Sequence, residues 1–168
     1  MQSRPWGRWS SASALRERHC ALGARWRHTG LEVPGIGIDR DRAAAFVESY
    51  RRAWEEWDFA GFAELFSDDV VYVAHATERT VVGRAELADY LREEAADQGH
   101  ARVRTGRPII EGNRVAAEFW VTRSNDGEEW TTAGCLIARL DPEGRCGFFR
   151  EYWFDVQGHT SAYEGWGE

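Results

Sequence analysis

Glu151 sits in the run Phe149-Arg150-Glu151-Tyr152-Trp153, where positions 149, 151 and 153 share one face if the run is a strand. A carboxyl on an apolar, aromatic face is desolvated. That raises its pKa toward neutral pH and suits it to general acid or base work. His75 is the second proton-transfer candidate, the lone histidine in the predicted core elements and a side chain that titrates near neutral pH. Strict alternation along 70–75 turns it away from Tyr72 and Ala74, so it reaches the same face only where the strand ends irregularly. Arg123, Trp130 and Asp155 fall in one row at the open end of the predicted sheet. There the charged pair can close over the indole in a cation–π contact, or orient an anionic substrate. Each candidate has a plainer reading. Glu151 is an ion-pair partner or is turned to solvent by a bulge, His75 is a hydrogen-bonded surface residue, and Arg123 with Asp155 is a structural clamp. Metal chemistry is not expected. No histidine falls at i, i+3 or i+4 from an acid within a predicted helix, and His19, Cys20 and His28 match no standard site.

Strands must place these groups, and two turns set their register. Asp126-Gly127 is a pair favoured in tight hairpins, and Asp141-Pro142-Glu143-Gly144 carries Pro and Gly where a turn needs them. Folding about them puts Ala117 opposite Leu136 and Leu136 opposite Phe149. The next rows are Phe119, Gly134 and Glu151, then Val121, Thr132 and Trp153. The expected strands are 101–111, 113–124, 129–140 and 145–156. Upstream, Ala43, Phe46, Val47, Tyr50, Trp54 and Trp57 form one helical stripe with Asp39 or Asp41 as cap. Asp58 caps a short second helix carrying Phe59, Phe62, Ala63 and Phe66, which Ser67-Asp68-Asp69 breaks. Residues 70–75 read as a strand with 79–82 as partner. A third helix opens at Gly83-Arg84-Ala85-Glu86 and stops at Gly99. This order predicts an α+β fold, three helices packed on one face of a curved antiparallel sheet.

Composition narrows the function classes. The 168 residues suggest one domain. Residues 1–38 carry six Arg against two Glu, whereas 39–168 carry fifteen Arg against twenty-six acids, a net −11 that disfavours a nucleic-acid partner. The first 38 residues lack periodicity and are expected to be a disordered leader, or the product of a start codon called too early; residues 157–168 form a Gly-rich tail, with Tyr163 and Trp166 closing over the sheet. No lysine occurs, which removes Schiff-base and P-loop chemistry and fits a GC-rich bacterial genome. Three cysteines without a C-x-x-C pair suit a reducing cytoplasm, and no stretch has the length of a signal peptide or a membrane span.

The order helix–helix–strand–helix–meander resembles the cone-shaped fold of the nuclear transport factor 2-like superfamily, in particular its bacterial SnoaL-like branch. The likeness rests on Leu65-Phe66-Ser67-Asp68-Asp69-Val70-Val71, Val82-Gly83-Arg84-Ala85-Glu86 and Phe149-Arg150-Glu151-Tyr152-Trp153-Phe154-Asp155, and covers 41–156. Ketosteroid isomerases share the fold. Their first-helix oxyanion donor corresponds to Tyr50, their catalytic base to Ala74 and His75, and their protonated aspartate to Leu136. One role of three is kept, so steroid isomerisation by that mechanism is not implied. The resemblance places Phe119, Phe149, Glu151 and Trp153 at pocket-lining positions. The Gly-Thr-His motif of larger polyketide cyclases is missing, and Arg123, Asp155 and Glu151 are the nearest analogue of the Asp-Arg-Asp triad of limonene-epoxide hydrolases.

The expected function is binding and conversion of a small apolar molecule by cofactor-free acid–base chemistry: isomerisation, cyclisation, dehydration or epoxide opening. Glu151 or His75 would move the proton and Tyr50 would steady the oxyanion. Trp54, Tyr72, Phe119, Val121, Arg123, Trp130, Leu136, Phe149 and Trp153 would line the hydrophobic pocket. The alternative is a non-catalytic ligand-binding or dimerisation module. Trp120 and Ile137 on the outer sheet face predict a homodimer, unless the tail covers them.

Overall fold

The computed structural model describes residues 38–75, 80–95, 100–125 and 127–168. The leader, Asp126 of the first turn and Gly99 of the third helix lie outside the described residues. Helix α1 (Arg40–Glu56) starts where Asp39, in extended conformation, accepts a hydrogen bond from the Arg42 amide at 2.7 Å. Its buried stripe is Ala43, Phe46, Val47, Tyr50 and Ala53, and it ends at Trp57 in the left-handed region, φ 53°. Asp58 caps α2 (Phe59–Glu64) through the Gly61 amide at 2.8 Å. Next come β1 (Phe66–Val73), β2 (Thr80–Val82) and α3 (Arg84–Ala95). The remaining strands are β3 (Ala101–Thr105), β4 (Ile109–Glu111), β5 (Arg114–Asn125), β6 (Glu128–Leu140) and β7 (Cys146–Gln157). Ser67, Asp68 and Asp69 do not break the chain into a loop; they belong to β1, where the pairing is irregular between Phe66 and Val71.

The sheet runs β2-β1-β7-β6-β5-β3, with β4 also on β5. It is curved and open. One pair departs from the antiparallel expectation: β1 lies parallel to β7, with Tyr72 beside Phe149. The single strand expected over 101–111 is two, β3 and β4, both paired with β5.

Register decides which way Glu151 points. Between β5 and β6 the expected rows hold: Ala117 faces Leu136, Phe119 faces Gly134 and Val121 faces Thr132. Between β6 and β7 the rows are displaced by two, so Glu151 faces Leu136, Trp153 faces Gly134 and Asp155 faces Thr132. Two one-residue differences add to give this. Leu140 pairs with Cys146 and the Asp141 amide reaches the Arg145 carbonyl, so the turn holds five residues rather than four. The register then shifts once more between Arg139 and Leu140, leaving Gly147 as the extra residue. Either change alone would send Glu151 to the outer face. Together they restore its parity, and it stays inside.

The helices close over the inner face to form a core in which Phe46, Tyr50, Phe62, Phe66, Tyr72, Phe119, Leu136 and Phe149 are all buried. Gly134 is the thin point of this wall. The Phe119 ring and the Trp153 side chain press against it, and a Cβ there would lie 2.6 Å from Phe119 Cζ and 2.4 Å from the Tyr152 carbonyl oxygen. On the outer face the tail turns back over β6, β5 and β3. Trp120 Nε1 donates to the Thr160 carbonyl at 3.0 Å, Trp166 stacks edge-on against Trp120, and Arg104 lies over the Trp166 ring. Tyr163, expected to help close the tail, is exposed instead. Among the described residues no helix is long and apolar enough to cross a membrane.

Gly134→Ala should therefore destabilise the protein by roughly 1–3 kcal/mol, as overpacking of a filled core does. Urea denaturation checks it. A variant as stable as the wild type would mean that the Phe119 ring does not rest on Gly134.

Candidate active site

The inner face carries two polar groups in an otherwise apolar surface. The first joins α1 to β7. Tyr50 is delivered by the buried stripe of α1, and Glu151 by the restored parity of β7. The Tyr50 hydroxyl donates to Glu151 Oε1 at 2.5 Å across 101 residues of sequence. Around them, Trp54 stacks on Tyr50 with centroids 5.8 Å apart, and Phe62, Phe119 and Phe149 tilt against the same ring. Tyr72 stacks on Phe149 at 5.1 Å, and Leu136 is the cross-strand neighbour of Glu151. Water is all but excluded, since Glu151 keeps 3% of its surface.

Burial pushes the Glu151 carboxyl up to about 8, well above its ordinary 4.5, while the hydrogen bond from Tyr50 pulls the other way. Tyr50 moves well above its usual value because burial and the neighbouring carboxyl both oppose a phenolate. At neutral pH the pair is thus a carboxylic acid and a phenol. With Oε1 accepting from Tyr50, Oε2 is the oxygen left to carry the acid proton. An acid held so can give a proton to a bound molecule.

Trp153, the next inward position along β7 from Glu151, carries His75 against it. Strand β1 ends at Val73, so alternation no longer governs His75, and its ring packs on Trp153 at 5.0 Å. Trp153 ties β7 to that strand end by donating from Nε1 to the Ala74 carbonyl at 3.1 Å.

The second polar group lies further along the same face. Arg123 and Asp155 form an ion pair at 2.9 Å with both side chains almost wholly buried. Arg123 and Trp130 are cross-strand partners as expected, but Trp130 faces Gln157, and Asp155 reaches Arg123 on the diagonal. The guanidinium lies 5.9 Å from the Trp130 ring centre. Burial lowers the Arg123 pKa and raises that of Asp155; the Thr132 hydroxyl, donating to Asp155, and the ion pair itself oppose these shifts. Thr132 was missed as a partner, although its inward parity placed it next to this pair. Glu151 and Asp155 are four residues apart on one strand, so their Cα atoms are separated by about 13 Å. That is too far for both to work on one bond. Glu151, Arg123 and Asp155 therefore do not assemble into a triad; the row Phe119–Gly134–Trp153 lies between the two groups, and buried Val121 shares the row of Thr132 and Asp155. No three His, Cys, Asp or Glu side chains among the described residues converge as a metal-binding group.

The profile of the SnoaL-like domain family matches residues 46–146, more than half of the chain. Solved structures with the same fold include SalBIII, an epoxide hydrolase/cyclase-like enzyme of pyran ring formation in polyether salinomycin, 19% identical with a TM-score of 0.61. The match covers 69% of this chain and 93% of that one. An LEH-like epoxide hydrolase of M. tuberculosis is 22% identical, TM-score 0.59, over 68% of this chain and 84% of its own. A Catenulispora acidiphila protein with a ketosteroid isomerase-like fold, in complex with trimethylamine, is 19% identical, TM-score 0.58, over 64% and 83%. Among curated proteins none matches the chain.

The raised Glu151 pKa has a measurable consequence. Below pH 4.5 the folded and unfolded chains both hold the proton. Between 4.5 and about 8 the unfolded chain releases it and the folded chain keeps it, so stability falls as pH rises, by about 1.4 kcal/mol per unit, and levels above 8. Glu151→Gln keeps the acceptor for Tyr50 and should remove this slope, leaving the variant at least as stable as the wild type at pH 8. Urea titrations at pH 5, 6.5 and 8 read it directly. An unchanged slope in the variant would show that Glu151 is not the buried acid.

Proposed function

The chain belongs to the SnoaL-like domain family, and from that premise we propose that it converts a small, largely apolar molecule by cofactor-free acid–base chemistry, with Glu151 as the general acid. The observation that carries this reading is the Tyr50–Glu151 hydrogen bond inside an aromatic wall. A neutral carboxylic acid at working pH protonates an oxygen as a bond to it breaks or as charge develops on it. Epoxide opening, with or without ring closure, and dehydration need that proton at the leaving oxygen. Isomerisation needs it at a carbonyl becoming an enol. Tyr50 positions Glu151 and limits its pKa, rather than serving as a separate oxyanion donor, because its hydroxyl proton is committed to Oε1. Trp54, Tyr72, Phe119, Leu136, Phe149 and Trp153 supply the apolar lining that would hold the substrate, and His75 stands at the rim as a second proton carrier. Arg123, Asp155, Thr132 and Trp130 act as a clamp that fixes the far end of the wall. The epoxide hydrolase and cyclase-like enzymes of the same fold support this reading at the level of fold.

Turnover should be present at neutral pH and fall as pH rises through about 8, where the acid loses its proton. Glu151→Gln should lower kcat by about a hundredfold or more, the usual worth of a positioned acid. Tyr50→Phe should raise the apparent pKa, because the bond it removes holds that pKa down. A panel of small apolar epoxides and enolisable ketones, followed by NMR, provides the assay. Activity that rises above pH 8, or persists in Glu151→Gln, would overturn the general-acid role. Binding of panel members without turnover would favour the ligand-carrier alternative.

A cytoplasmic homodimer is the second element of the proposal. Tyr152, Phe154 and Val156 alternate along the outer face of β7 and are 44%, 61% and 40% exposed, an apolar strip beside the tail-covered half of the sheet. Trp120, the expected centre of the interface, is instead engaged by the tail. Phe154→Glu should give a monomer by light scattering with its fold intact. A wild type already monomeric at micromolar concentration would remove the dimer.

A further inference from the structure

A cavity of about 310 Å³ opens at the end of the sheet where β3, β5 and β6 meet the start of the tail. Alternation puts Arg102, Thr122, Ser124 and Glu129 on the outer face here, the side opposite Glu151. His100 enters from the residue just before β3, and His159 from the tail. The side chains are an unusual collection for a domain that carries a net −11 over 39–168. Arg102 brings a fixed positive charge. Each imidazole offers an N–H donor even when neutral, and the Thr122 and Ser124 hydroxyls add two more donors. Glu129 is the single carboxylate.

His159 is not carried on a loose tail. On one side of it, the Gly158 amide donates to the Glu129 carbonyl at 2.7 Å and the Gly158 carbonyl accepts from the Thr131 hydroxyl at 2.8 Å. On the other, the Thr160 amide donates to the same Thr131 oxygen at 2.9 Å, and the Thr160 carbonyl accepts from Trp120. Gly158 has φ +92°, a conformation that strongly favours glycine and that turns the chain back across β6. The turn and its four hydrogen bonds fix the backbone on both sides of His159, which lines the same cavity as Thr122, Ser124 and Arg102. Such pre-arrangement lowers the ordering cost of binding.

We propose that this cavity is a binding site for one small oxyanion, a phosphate or carboxylate group, held by Arg102, His100, His159 and the Thr122 and Ser124 hydroxyls. Arg102 and Arg123 both line the cavity, but the Arg123 guanidinium is already paired with Asp155, which leaves one guanidinium against the one carboxylate of Glu129, so recognition rests on the neutral donors. That favours a single oxyanionic group over a polyphosphate. The volume is at the low end for ligand sites, which again points to a small molecule. The site lies on the other face of the sheet from Tyr50 and Glu151 and does not depend on the reaction proposed there.

Titrating the full-length protein at constant ionic strength with inorganic phosphate, and separately with acetate, tests this. The Trp120 indole N–H resonance reports whether the tail stays docked. Saturable binding of phosphate is expected, at least tenfold weaker in Arg102→Ala and in His159→Ala, and unchanged in Glu151→Gln. His159→Ala keeps all four tail anchors, so it remains a fair test even where Arg102→Ala perturbs folding. Preferential saturation by acetate would support the site and identify the group as a carboxylate. Failure of both anions to saturate below about 10 mM, where binding would be worth less than about 2.7 kcal/mol, would overturn the proposal. So would wild-type affinity in both variants.

Discussion

The hydrogen bond between Tyr50 and Glu151 sets terms that the rest of the inner face must meet. A carboxyl cannot sit among Phe119, Phe149 and Leu136 as an unpaired anion, because desolvating it would cost more than any one of those contacts contributes. It stays there by holding its proton and accepting from one phenol. That solution needs α1 and β7 in fixed relation, since a shift of either element by one residue would remove the hydroxyl or turn the carboxyl outward. The two register irregularities near Gly147 and Arg145 are therefore part of the site, although they lie in a surface turn well away from it.

The aromatic wall enforces the same geometry by packing. Gly134 lets the Phe119 ring and Trp153 approach the sheet backbone, and Trp153 in turn reaches the Ala74 carbonyl and the His75 ring. The end of β1, the middle of β6 and the centre of β7 are thus tied together by direct contacts. Further along, the buried Arg123–Asp155 pair adds little net stability by itself, because desolvation opposes both charges. Its value is positional: it joins β5 to β7, with the Thr132 hydroxyl and the Trp130 indole of β6 beside it. One face accordingly holds a buried acid bonded to a phenol and, further along, a buried ion pair.

The outer face divides the sheet differently. The tail uses Trp120, Arg104 and the Thr131 hydroxyl as anchors and covers β3, β5 and part of β6, leaving the apolar strip on β7 bare. An expected interface residue has become the partner of the chain's own terminus. The donors gathered beneath His159 follow from that return, which brings groups from two strands and the tail to one edge.

Much of this was legible in the sequence because it depends on local periodicity. The stripe Ala43–Phe46–Val47–Tyr50 defines α1, Asp39 and Asp58 mark helix starts, and the β5–β6 register follows from one hairpin. The inward parity of Glu151 was legible too, since two one-residue errors leave a period of two unchanged. Its partners were not. Hairpin reasoning cannot see a bulge set by how Gly147 fits against β1, so it placed Gly134 rather than Leu136 across from Glu151. Residues 50 and 151 meet only when a helix docks on a sheet, and a hydroxyl's choice between a ligand and a carboxyl is settled by that docking. The pairing of β1 with β7, parallel and far apart in the chain, and the return of the tail over Trp120 are likewise consequences of closing the core. Sequence determined which residues face inward. Only tertiary structure decided which of them touch, because long-range contacts answer to packing of the whole core rather than to any local period.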